Sequence, residues 1–130
     1  MSVILTQQEA QALCCEWQER LRLQDWDVKV DIAREAQFRT SGTAGECRWV
    51  LAKKTALVYL LDPVDYPPDI RWEQDHEVTL VHELLHLHGA PFDQFESGSP
   101  EEIALEQMID LTARALVALE RQASQHMKGA

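Results

Sequence analysis

Apolar and polar positions alternate along the chain with two different periods, and the switches between them outline the fold. Near the start, Thr6 and Glu9 stand in capping-box spacing, and Leu13, Cys14, Trp17 and Leu21 recur at helical intervals. This predicts an amphipathic helix with Cys14 and Trp17 on its buried stripe. Trp26, Val28, Val30 and Ile32 then alternate with Asp25, Asp27, Lys29 and Asp31, which predicts a half-buried strand with a charged outer face. From Gln37 to Leu51, Gly42 and Gly45 lie between two mixed segments, and the stretch reads as a loose hairpin. Thr55–Leu61 (TALVYLL) is a strongly apolar strand, ended by the proline-rich loop Asp62–Asp69.

Helical patterning returns from about Arg71 to His88, with Val78, Val81, Leu84 and Leu85 on one side and Gly89 and Pro91 as stop signals. After a loop, Ser99 is placed to cap a last helix, with Pro100 at its first position and Glu102 closing a capping box. Ile103, Ile109 and Leu116 carry its apolar side out to roughly Ser124. The order helix, about three strands, helix, helix predicts an α+β fold with a short mixed or antiparallel sheet. At 130 residues the chain fits a single domain, 1–130.

Composition narrows the function classes. Acidic residues number 22 against 12 basic, a formal charge of -10, which disfavours binding a phosphate backbone through a broad basic face. No apolar run is long enough for a membrane span, and the first ten residues lack the basic and hydrophobic regions of a secretory signal. Three cysteines, two of them adjacent (Cys14 and Cys15), do not make a disulfide framework and point to a reducing cytoplasm.

The chemistry lies in His82-Glu83-Leu84-Leu85-His86, an H-E-x-x-H motif on a predicted helix. Histidines four apart share a helix face, so both imidazoles can reach one zinc ion. Glu83 flanks that face, where it can take a proton from an activated water without binding the metal. A zinc site needs a third ligand. The last helix offers Glu106, with Asp110 one turn on to accept a hydrogen bond from a ligand histidine. Glu102 and Asp93 are the other acids in range. Tyr66, His88 and His76 are the candidates for polarising a substrate carbonyl.

HELLH followed by Glu106-Gln-Met-Ile-Asp110 resembles the gluzincin branch of zinc metallopeptidases in pared-down form. The wider layout, with Glu16–Val30 before the sheet, is similar to small metallopeptidase-like proteins of phages and prophages. The resemblance implies a zincin-like core, with His82, His86 and Glu106 as zinc ligands, Glu83 as general base and Asp110 supporting a histidine. It also implies that strand Thr55–Leu61 borders the cleft and pairs with an extended peptide or protein substrate, and that the protein acts in a host-cell cytoplasm. The metzincin pattern continues only to Gly89, because its third histidine would fall at Phe92. The expectation is a zinc-dependent peptidase. The alternative is a zincin-fold protein that binds a specific partner without turnover.

Overall fold

The computed structural model describes residues 2–128. Helix α1 spans Gln7–Arg20. The Thr6 side chain accepts from the Glu9 amide and the Glu9 carboxylate accepts from the Thr6 amide, so the expected capping box is closed at both ends. Cys14 and Trp17 are buried, as their spacing requires. Strand β1 is Asp27–Ala33, β2 Gly45–Val50 and β3 Thr55–Leu61. Helix α2 is His76–Gly89 and α3 is Pro100–Lys128. The fold is α+β. Among the described residues, no helix is long and apolar enough to cross a membrane.

The sheet is mixed, in the order β1-β3-β2, with β1 parallel and β2 antiparallel to β3. Val28 and Val30 of β1 and Ala56, Val58 and Leu60 of β3 turn to the same buried face. There they meet Cys14 and Trp17 of α1 and Leu80, Val81 and Leu84 of α2 in one hydrophobic core. Burying side chains of this size contributes about 1.5–3 kcal/mol each.

The two edges of the sheet are treated differently. On β1, Gln11 accepts from the Val30 amide at 2.9 Å and donates to the Val28 carbonyl at 3.2 Å. One helical turn away, Gln7 accepts from the Ile32 amide at 2.9 Å and donates to the Val30 carbonyl. Two glutamines of α1 thus stand in for a neighbouring strand and close this edge. On the far side, the Leu61 amide bonds to the Ala44 carbonyl, which sets the antiparallel phase. Residues 44, 46, 48 and 50 face β3, and Gly45, Cys47 and Trp49 turn their backbone groups outward.

Four expectations are corrected here. The stretch 37–51 is not a hairpin in itself: only Gly45–Val50 is a strand, and its partner is β3. Residues 34–44 instead form a single 3-10 turn and a loop. Helix α2 begins at His76, not near Arg71, because the Asp75 side chain caps it by accepting from the Val78 amide at 3.1 Å. The residues before it are held elsewhere: Gln74 donates to the Leu61 carbonyl, and the Gln74 carbonyl receives the Val3 amide. At α3, Ser99 does accept from the Glu102 amide at 3.2 Å, but the Glu102 carboxylate takes the Gly98 amide at 2.8 Å and closes no reciprocal box. The helix also runs past Ser124, to Lys128.

Candidate metal centre

Helices α2 and α3 pack side by side, and the candidate site lies where they meet the outer edge of β2. The helical repeat brings His82 and His86 to one face, with ring centroids 5.3 Å apart. Glu106 of α3 reaches across to both. Its Oε2 lies 3.2 Å from His82 Nε2 and its Oε1 lies 2.9 Å from His86 Nε2. One donor atom from each of the three lies within 4.8 Å of the others, the single such group of three among the described residues. Ligands held about 2.1 Å from a tetrahedral ion stand roughly 3.4 Å apart, so the residues present fit a divalent ion such as zinc after a small outward adjustment.

The supports around these three are specific. His82 Nδ1 lies 3.4 Å from Asp110 Oδ1, which leaves Nε2 as the nitrogen facing the centre. Asp110 is itself held through Oδ2 by Arg114 Nε at 3.0 Å. The indole of Trp49, on β2, stacks on the His86 imidazole with centroids 6.3 Å apart and planes at 19°.

Electrostatics separate the two glutamates. Hydrogen bonds from His82 and His86 hold the Glu106 carboxyl well below the usual range, so it is an anion ready to bind a cation. Burial disfavours a charged His82, but Glu106, Glu83 and Asp110 outweigh it and raise its pKa. Glu83 is buried, and burial pushes its carboxyl up to about 7 against the pull of His82 and His86. In the metal-free site a carboxyl so poised exchanges a proton near neutral pH, and a bound cation would draw it towards the anion that accepts one.

The room for Glu83 comes from Gly45. A Cβ at that position would fall 2.4 Å from Thr79 Cγ2 and 3.0 Å from Glu83 Oε2, so only glycine lets β2 lie this close to α2. A cleft of about 690 Å³ opens over the site, walled by β2 on one side and by His82, Glu83, Glu106 and Arg114 on the other. It shares Thr43, Ala44, Val78, Thr79 and Arg114 with a second cavity of about 250 Å³ that holds Leu61, Tyr66, Ile70 and Trp72.

The sequence candidates fall into two groups. His82, Glu83, His86, Glu106 and Asp110 are brought together. Asp93 and Glu102 line the same cleft outside the group of three. Tyr66 lies in the second cavity, where its hydroxyl donates to the Trp72 carbonyl at 2.7 Å. His88 points away to the Leu21 carbonyl, 2.9 Å from its Nε2. His76 is fully buried and structural: Nδ1 accepts from the Leu5 amide at 3.0 Å, and Nε2 donates to the Leu61 carbonyl at 2.9 Å. Strand Thr55–Leu61 does not border the cleft with a free edge, because β1 and β2 flank it on both sides, and the edge strand that lines the cleft is β2. Sequence reasoning missed Gly45, Trp49 and Arg114. An isolated glycine inside a strand was the available signal for the first, and the i+4 spacing from Asp110 for the last.

No protein-family model, no curated protein and no solved structure matches this chain.

Proposed function

We propose that this protein is a zinc-dependent peptidase of minimal gluzincin type, cutting an extended peptide laid along β2. The observation that carries the reading is the convergence of His82 Nε2, His86 Nε2 and Glu106 on one point, with the buried Glu83 carboxyl beside it. When bound there, zinc supplies a Lewis acid that acidifies water and polarises a carbonyl. Glu83 takes the proton of the attacking water and passes it to the amine that leaves. Asp110 fixes the His82 tautomer, and Trp49 holds the His86 ring. Arg114, on the cleft wall and tethered by Asp110, takes the carbonyl-orienting role for which Tyr66 and His88 are badly placed.

The sheet favours one mode of substrate binding. The β1 edge is already occupied by Gln7 and Gln11, whereas the β2 edge runs beside the candidate site. A peptide strand there would bond to the backbone of Gly45, Cys47 and Trp49. The adjoining cavity, with Leu61, Ile70 and Trp72, suits an apolar side chain of that peptide.

Metal analysis of the purified protein is expected to give about one zinc per chain. The Glu83→Gln variant is expected to keep the metal, lose cleavage and retain bound the protein that wild type cuts. A variant that still cleaves, or a wild type that takes up no zinc, would defeat the reading.

A further inference from the structure

Helix α3 is apolar on two opposite sides. Leu105, Ile109, Ala113 and Val117 are buried against the body of the protein. The other side faces water: Met108 is 57% exposed, Leu111 68% and Leu119 61%. Ala104, Ala115 and Ala118 between them are exposed as well. A surface helix ordinarily turns charge outward, and a second apolar stripe on its outer side calls for a cover. The contrast is sharp in a chain with 22 acids. From Ala104 to Gln122 the acids are Glu106, Asp110 and Glu120, and each is engaged away from this stripe, Glu106 with His82 and His86, Asp110 with His82 and Arg114, and Glu120 with Arg20.

Ala104, Met108, Leu111, Ala115, Ala118 and Gln122 follow one another in steps of four and three, the repeat of a helix-to-helix seam. We propose that this face packs against α3 of a second copy of the chain across a two-fold axis.

Three features favour that occupant. The seam calls for a helix carrying a matching stripe, and a two-fold copy presents the same stripe in return. Charge acts in the same direction. Two chains of formal charge -10 repel each other over most approaches, and this nearly acid-free band is where they can meet. Area is the third. From Ala104 to Gln122 the helix runs about 27 Å, and half the surface of a cylinder ~11 Å across is roughly 470 Å² per copy. Beside the stripe, Phe92 is 58% exposed and rims an apolar cavity of about 300 Å³ with Leu85, Leu105, Met108 and Ile109. With that cavity filled by a side chain of the second copy, the total comes to about 1,000 Å², the floor for a biological contact and the size of a weak, reversible one.

Sedimentation velocity on the whole protein, between about 1 and 100 µM, tests this. The expected result is a reversible monomer–dimer equilibrium with a micromolar Kd. Leu111→Glu is expected to be monomeric throughout, with unchanged circular dichroism because the side chain makes little of the fold. Val64→Glu, equally exposed but remote from α3 in sequence, is expected to dimerise as wild type does. A wild type that stays monomeric at the highest concentration, a dimer that survives Leu111→Glu, or one lost equally in Val64→Glu would overturn the proposal.

Discussion

Gly45 lies against Glu83: a methyl group on the glycine would sit 3.0 Å from the carboxylate Oε2. The same methyl would be 2.4 Å from Thr79 Cγ2 on the same helix, so neither neighbour can yield alone. Gly45→Ala is expected to cost about 1–3 kcal/mol through overpacking. Urea unfolding of the metal-free protein measures it, and an unchanged midpoint would mean that β2 and α2 do not pack this closely.

Asp110 is expected to govern metal affinity without touching the metal. It holds His82 through Nδ1 and is held in turn by Arg114. Asp110→Ala should weaken zinc binding about 10- to 100-fold by freeing the ring. Glu106→Ala, which deletes a donor, should weaken it further. Competition against a chromogenic chelator ranks the two, and equal affinities for wild type and Asp110→Ala would remove the support role.

The glutamines on β1 give a test of edge protection. Replacing Gln7 and Gln11 together by Ala leaves the outward groups of Val28, Val30 and Ile32 without their side-chain partners. The expected loss is about 1–3 kcal/mol, because these groups are only partly buried. The opened edge is also a template for pairing between chains. Light scattering should then detect species larger than any wild type forms at the same concentration.

Acid stability should report the Asp65–Arg34 pair. Arg34 donates to Asp65 through Nε at 2.7 Å and Nη2 at 3.1 Å, and the Glu35 amide adds a third bond at 2.8 Å. Arg34, then that amide, pull the Asp65 carboxyl down to about 2. The folded value lies below the unfolded one, so the contribution is complete above the ordinary carboxylate range and fades as pH falls towards 2. Wild type is therefore expected to exceed Asp65→Asn in urea midpoint at about pH 5 and to converge on it near pH 2. A gap that stays constant over this range would show that the pair does not titrate.

Local signals carried much of this structure. Thr6 and Glu9 fixed the start of α1 because a capping box is a short-range motif, and the apolar run Thr55–Leu61 matches β3 at both ends. His82 and His86 could be paired from helical geometry alone, and Glu106 from the need for a third donor. Strand order could not be read. Whether Thr55–Leu61 is central or at the edge depends on which strands it meets, and periodicity is silent on that. Gln7 and Gln11 carry no local signal of their role, because their partners are backbone atoms of a strand 17–25 residues away. Tyr66 and His88 were plausible by residue type, but nearby carbonyls claim both.

The division of the cleft between two stretches of chain has a consequence for adaptation. Everything that would grip the ion or move a proton lies in the two helices between His76 and Lys128. The opposite wall comes from residues 40–50, a loop and the strand β2, which offer the ion no ligand and touch its candidate ligands through the Trp49–His86 stack. On the proposed function, substitutions in that wall, Gly45 and the His86-stacking Trp49 aside, can retune which peptides enter while the reactive half stays intact. Recognition and reactivity are thereby free to evolve at different rates, and the first can be redesigned without disturbing the second.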